Sequence, residues 1–303
     1  MSERFRIGLV GLDTSHVVAF ARILNDADDP HHNASGRIVA GYPGGSPDMA
    51  TSASRVDRYT AELRDTYGVS IEKSIEAVAE MSDAVFLESV DGRVHLEQFE
   101  RIAPFGKPTF IDKPFATNTA DAERIAELAA KHNVTLMSCS ALRFAEPFTE
   151  ALADSATGEI IGIDCAGPLH LEPTQPGLFW YGIHTVEMVY AALGAGFRRV
   201  TALGTRDHDV VCGEWDDGRL ATIRGNRRGN NAFSAVIHRE QDSRFVNASA
   251  SAKPYYVSLI EAAMEMLRTG ESPIDPAETV EIVRFIETAN AARETGAGRP
   301  VRP

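Results

Sequence analysis

The feature that most constrains this chain is a change of rhythm near residue 143. Before it, short β-rich runs alternate with segments of helical period. Residues 5–10, 37–42, 84–88, 109–111 and 135–138 read as strands, and 17–24, 56–67, 74–81, 95–102 and 119–132 as helices. Strands separated by helices imply βαβ units, hence a parallel sheet covered on both faces. After residue 143 one helix, 184–193, is followed by strands at 200–204, 210–215, 220–224, 232–238 and 244–248 with no helix between them. Asp216-Asp217-Gly218 reads as a hairpin turn between two of these strands. Consecutive strands imply a largely antiparallel sheet, and helices at 257–268 and 277–294 close the chain. The expected architecture is α/β: a Rossmann-like parallel-sheet domain over 1–140, then an α+β domain over 141–303 for substrate binding and oligomerisation.

With 303 residues the chain can bury two cores of ordinary size. A formal net charge of −13 speaks against nucleic acid or an anionic membrane as partner, because phosphate recognition needs a basic surface. No apolar run is long enough to span a bilayer, and the stretch Met1–Arg6 lacks the apolar core of a signal peptide. Cys139, Cys165 and Cys212 are odd in number and lack metal-ligand spacing. They read as reduced, buried thiols of a cytoplasmic protein with no metal site.

The first strand runs into Gly11-Leu12-Asp13-Thr14-Ser15-His16. A dinucleotide fingerprint uses its first glycine for a tight turn, its second for approach to the pyrophosphate and its third for helix packing. Gly11 serves the first role, while Asp13 and His16 stand in the other two places. Asp13, Thr14 and Ser15 are all good N-cap residues, and a helix N-terminus offers N–H groups to an anion. Asp13 is expected to cap its own helix, leaving Thr14 or Ser15 to face a phosphate. The second strand ends in Pro43-Gly44-Gly45-Ser46 without the acid that usually holds a ribose, so Ser46 and backbone groups are the candidates there. NAD and NADP are not separable on this pattern.

Two later segments carry chemistry. Pro108-Thr109-Phe110-Ile111-Asp112-Lys113-Pro114 places an acid, a lysine and a proline at a strand's carboxyl end, where open α/β sheets bind ligands. Trp180-Tyr181-Gly182-Ile183-His184-Thr185-Val186-Glu187 opens an amphipathic helix on a histidine.

Together these segments resemble the Gfo/Idh/MocA oxidoreductase family. Asp112-Lys113-Pro114 is similar to its Glu-Lys-Pro motif, and Gly182 to Glu187 to its Gly-x-His-x-x-Asp segment. Ser89-Val90-Asp91-Gly92-Arg93-Val94-His95 lies where the family has a Pro-Asn-x-x-His loop beside the nicotinamide. The tail, from Gly270-Glu271-Ser272-Pro273 to Gly298-Arg299-Pro300-Val301, follows the family's ending. The resemblance implies an NAD(P)-dependent oxidoreductase moving hydride between a nicotinamide and a sugar, sugar acid or cyclitol. It implies Lys113 and His184 as catalytic residues, converging from the two domains on one cleft. It further implies Gly11, Thr14, Ser15, Ser46, Ser89, His95, Asp112 and Pro114 around the cofactor. Arg93, Arg143, Trp180 and Tyr181 are candidates for the substrate, and pairing of the second sheet suggests a homodimer or homotetramer. Trp180 stands where many members carry a catalytic Asp. Two other functions stay open on the sequence: a cofactor-retaining epimerase or lyase, and a non-catalytic binding or regulatory protein.

Overall fold

The computed structural model describes residues 4–295 and the backbone of residues 299–300. Two compact units emerge: one of residues 1–116, 120–139 and 259–279, the other of residues 117–119, 140–258 and 280–303. The chain thus returns to the first unit late, through 259–279, rather than leaving it for good near residue 140. Gly298 and Val301 of the family-like ending lie outside the described residues.

The first unit is built on β1 (Phe5–Val10), β2 (Gly36–Tyr42), β3 (Ser70–Ile71), β4 (Ala84–Leu87), β5 (Thr109–Asp112) and β6 (Leu136–Cys139). All pairs are parallel and the order is β3-β2-β1-β4-β5-β6, the doubly wound order of dinucleotide-binding domains. Its helices are α1 (Ser15–Asn25), α2 (Ala50–Ala53), α3 (Val56–Tyr67), α4 (Ile75–Met81), α5 (His95–Ile102) and α6 (Thr119–His132). Because both sheet faces are covered, β4 and β5 are buried at every position. Phe20 of α1 packs edge-on against Phe86 of β4 and Phe110 of β5, with ring centroids 6.3 and 6.5 Å away. That cluster fixes α1 over the strands whose ends carry the site.

The second unit holds α7 (Glu146–Ala153), β7 (Ile160–Pro168), α8 (Gly182–Leu193), β8 (Phe197–Gly204), β9 (His208–Trp215), β10 (Leu220–Asn226), β11 (Ser234–Arg239), β12 (Ser243–Asn247) and β13 (Arg299–Pro300). The sheet order is β12-β11-β7-β10-β9-β8-β13, antiparallel except for the central β7–β10 pair. Two helices follow the meander, α9 (Tyr255–Thr269) and α10 (Pro276–Thr295).

Side chains on one face of this sheet pack inward. Trp215 of β9 meets Tyr190 of α8 and Phe285 of α10, with centroids 5.7 and 6.1 Å away. Glu281 of α10 accepts hydrogen bonds from the Tyr190 hydroxyl and from the Gly196 and Phe197 N–H groups, holding α10 to the α8–β8 turn. Farther along α10, the Asn290 side chain accepts from the Leu178 N–H and donates to the Pro176 carbonyl, which pins the segment leading into α8. The opposite face stays open: Ile161, Leu203, Val210, Leu220 and Phe245 are exposed.

Most expected elements appear within one to three residues of their expected ends. Missed were the short α2, β3 and β13 and the longer α7 and β7. The β7 sequence, Ile160-Ile161-Gly162-Ile163-Asp164-Cys165-Ala166-Gly167-Pro168, mixes two glycines and an acid into its alternation, which hides a central strand.

Candidate active site

The site residues of the first unit sit at the carboxyl ends of β1, β2, β4 and β5. Gly11 turns the chain at φ +86°, and a Cβ there would meet the Ser89 backbone nitrogen at 2.4 Å. Only glycine allows both the positive φ and this close approach of the β1 turn to the segment after β4. The first role of the fingerprint is therefore kept.

Thr14, rather than Asp13, caps α1: its side chain accepts from the His16 N–H at 3.4 Å. Asp13 is fully buried and turns inward, accepting from Ser52 Oγ at 2.6 Å and from the Val90 N–H at 3.0 Å. Burial raises the Asp13 pKa, and the Ser52 and Val90 hydrogen bonds partly offset this. Its carboxylate is thus spent on protein donors and does not confront a phosphate. Ser15 is exposed in the first turn of α1, which contains no acidic residue. This combination of a tight glycine turn, an inward-turned acid and an exposed serine at a helix N-terminus fits a dinucleotide's pyrophosphate.

Other candidates of this unit are committed to the scaffold. His95 is buried, with Nε2 2.7 Å from the Ser89 carbonyl and Nδ1 3.2 Å from that of Phe115. Ser89 is likewise buried and donates through Oγ to Gln98. The Ser46 N–H donates to Ser52 Oγ, which links the β2 loop to Asp13. Arg93 is held by Asp91 and Asp48, at 2.7 and 2.9 Å. Those carboxylates push its pKa up, and Asp48 falls below the usual carboxylate range in return.

Lys113 is 7% exposed and follows Asp112, with a cis peptide bond to Pro114. Asp112 pairs with His16, Nδ1 to Oδ2, at 2.7 Å. Burial opposes ionisation of Asp112, but His16 and Lys113 prevail and hold its pKa down to about 2. His16 therefore has a definite partner where the fingerprint's third glycine would stand.

In the second unit, His184 occupies the first turn of α8. Its Nδ1 lies 2.7 Å from Ser140 Oγ. The rings of Tyr181 and Phe233 meet it edge-on, with centroids 5.6 and 5.4 Å away. Tyr181 in turn packs on His170 and Trp180. Ser140 also caps the 3₁₀ turn Ala141–Phe144, accepting from the Leu142 N–H. On that same turn Arg143 donates to Glu187 at 2.9 Å, and both side chains are nearly buried. Two polar contacts therefore join the turn to α8, one of them to the histidine. Motif reasoning missed Ser140 because it is an ordinary cap in sequence, 44 residues from its partner.

Residues 5–139 match the family model described as "Oxidoreductase family, NAD-binding Rossmann fold". A protein of Salmonella typhimurium, YceM, named as an oxidoreductase, is 28% identical over 159 residues, which is 52% of this chain and 46% of that one. The aligned part thus spans about half the length of this curated relative. Among solved structures, a myo-inositol dehydrogenase from Corynebacterium glutamicum superposes with TM-score 0.79 at 14% identity, covering 99% of this chain and all of that one (100%). GenD2 of gentamicin A biosynthesis, solved with NAD, gives 0.79 at 17% identity over 100% and 98%. A scyllo-inositol dehydrogenase from Lactobacillus casei gives 0.78 at 16% over 99% of each chain. By its N-terminal match, residues 5–139 of this chain are similar to the Gfo/Idh/MocA oxidoreductase family.

Proposed function

We propose that this protein is an NAD(P)-dependent oxidoreductase that moves hydride between a nicotinamide and the carbinol carbon of a sugar, sugar acid or cyclitol. The observation that carries the reading is the Gly11 turn: a positive-φ glycine pressed on Ser89 opens α1 at the centre of the β3-β2-β1-β4-β5-β6 sheet. The dinucleotide-binding family matched by residues 5–139, and the names of the structural neighbours, support the same chemistry.

The cofactor, when bound, accepts or gives the hydride. Backbone groups at Thr14 and Ser15 hold its phosphates, with Gly11 making room and Ser46 on the β2 loop beside the ribose. Ser89, His95, Asp112 and Pro114 shape that pocket from behind; the His95 ring lies between the Ser89 and Phe115 carbonyls and ties the β4 and β5 loops together through its N–H. Lys113 holds the substrate oxygen and stabilises negative charge as it develops. His184 takes the hydroxyl proton, with Ser140 fixing Nδ1 so that Nε2 exchanges it. Trp180 and Tyr181 supply an aromatic wall for a polyol, and Arg143, already paired to Glu187, orients the turn that carries Ser140. The test is a titration of the purified protein with NADH and NADPH, followed by the nicotinamide fluorescence. Saturable binding of either supports the reading, and binding of neither at millimolar concentration overturns it.

The exposed apolar face of the second sheet, Ile161, Leu203, Val210, Leu220 and Phe245, is proposed to pair with a second copy of this chain. Apolar surface on one sheet face favours an isologous interface, and closed symmetry favours a dimer or tetramer. Light scattering at micromolar concentration should give a multiple of the 32.9 kDa chain mass. A cytoplasmic location accords with three cysteines that form no disulfide among the described residues. No described helix is long and apolar enough to cross a membrane.

A further inference from the structure

Three ionisable side chains that the proposed reaction does not use as reactants meet in the first unit. They come from distant points of the sequence: His16 from the first turn of α1, Glu88 from the end of β4, and Asp112 from the end of β5. One ligand atom from each, an imidazole nitrogen and two carboxylate oxygens, lies within 4.8 Å of the others.

Glu88 is the unusual member. It is 0% exposed, and neither of its carboxylate oxygens has a hydrogen-bond partner. Its backbone N–H is fixed by the Val10 carbonyl at 2.7 Å, so the side chain is delivered to this place by the sheet itself. Interior carboxylates are ordinarily hydrogen-bonded, paired or bound to metal, because desolvation of the charge is costly. Burial pushes the Glu88 pKa well up, the Asp112 and Asp13 charges add to this, and Lys113 opposes it. Lys113 therefore does not offset the burial, and the Glu88 oxygens stand without a hydrogen bond.

We infer that His16, Glu88 and Asp112 form a binding site for a divalent transition-metal ion, zinc or manganese in chemical class. Bonds of about 2.0–2.2 Å to imidazole and carboxylate ligands put neighbouring donor atoms roughly 3–4 Å apart, within reach of small side-chain adjustments here. One imidazole with two carboxylates is a borderline-to-hard donor set, which suits these ions and excludes soft, thiol-seeking ones. Three protein ligands also leave a coordination position for water or a substrate oxygen, the arrangement of metal sites that do chemistry. The cation supplies the bonds that Glu88 lacks. It also gives His16 a reason to stand where a dinucleotide fingerprint has glycine. The inference is independent of whether the protein transfers hydride.

The test uses the full chain, stripped with a chelator, dialysed, and incubated with Zn²⁺ or Mn²⁺ alone. Retained metal is counted per chain by mass spectrometry after desalting, and the thermal midpoint is recorded with and without the ion. One equivalent retained, with a raised midpoint, is the expected result. Glu88→Gln, which keeps shape while removing charge, and His16→Asn should each weaken the apparent affinity by about tenfold or more. Failure of the wild-type chain to retain either ion overturns the inference, and that measurement needs no variant to fold. Equal retention by wild type and both variants overturns it as well, since the metal then sits elsewhere. A Glu88→Gln chain more stable than a wild type that binds no metal would show that Glu88 is satisfied by a proton instead.

Discussion

Ser140 Oγ lies 2.7 Å from Nδ1 of His184, and three residues on from each, Arg143 meets Glu187. The proposed base is therefore oriented by a hydroxyl on the 3₁₀ turn rather than by a carboxylate at position 180, where Trp180 stands. A hydroxyl fixes the ring without adding charge beside it. Ser140→Ala should lower kcat by roughly fivefold to tenfold, the value of about one hydrogen bond. Its pH–rate profile should shift while the KM for dinucleotide stays put. A purely structural role would lower the thermal midpoint and leave the profile unchanged.

The neighbouring pair makes a separate prediction. Glu187→Gln leaves the Arg143 guanidinium in a nearly buried place without its carboxylate. Breaking a buried pair from one side costs about 3–5 kcal/mol, far more than loss of an exposed pair. Denaturant unfolding should show a loss of that order, and Glu187→Asp should recover only part of it.

Asp13 joins three segments: the β1 turn, Ser52 of α2 and the Val90 N–H after β4. Asp13→Ala orphans both donors, one of them a backbone N–H, at about 1–3 kcal/mol. Asp13→Gly restores the fingerprint residue but loses the same bonds, so it should destabilise similarly. If either variant unfolds at the wild-type midpoint, Asp13 is not the tie described here.

Burial pushes the thiols of Cys165 and Cys212 up, with the Asp164 charge adding to it in both. A raised pKa keeps a thiol protonated at neutral pH, and only the thiolate is a good nucleophile. Labelling of the native protein by an aromatic disulfide should therefore be slow near neutrality and accelerate only above the ordinary thiol range. Denaturation should release all three cysteines of the sequence at once. Cys139 and Cys165 are buried but Cys212, expected to be buried, is only half-buried. Fast labelling of more than one thiol at pH 7 would therefore contradict the structure.

Much of the fold was legible because its signals are local. Alternating strands and helices announced the parallel sheet, and the hairpin turn at 216–218 announced the antiparallel one. The β7 strand was not legible, because its glycines are demanded by neighbours: a Cβ on Gly167 would meet Phe233 and Thr185. At the site, Gly11, Lys113 and His184 stood out by motif. Ser140, Glu88 and the Asp13–Ser52 bond did not, since each acquires its meaning from a partner far along the chain. Arg93 and His95 drew attention by position in a motif, yet their side chains are bound by Asp48, Asp91 and main-chain carbonyls. Sequence supplies residue type, and only the fold says which of its bonds are already made.

The central claim is that Lys113 and His184 serve hydride transfer to a bound nicotinamide. The most direct measurement follows the absorbance of the reduced nicotinamide while the full-length protein, supplied with NAD⁺ or NADP⁺, is offered a panel of cyclitols, sugars and sugar acids. Wild type should reduce the dinucleotide with at least one member of the panel. His184→Ala and Lys113→Met should each lower that rate by about 10²–10⁴-fold while binding dinucleotide nearly as wild type does. Turnover at the wild-type rate in both variants would contradict the account, as would tight dinucleotide binding by a wild type that reduces it with no member of the panel.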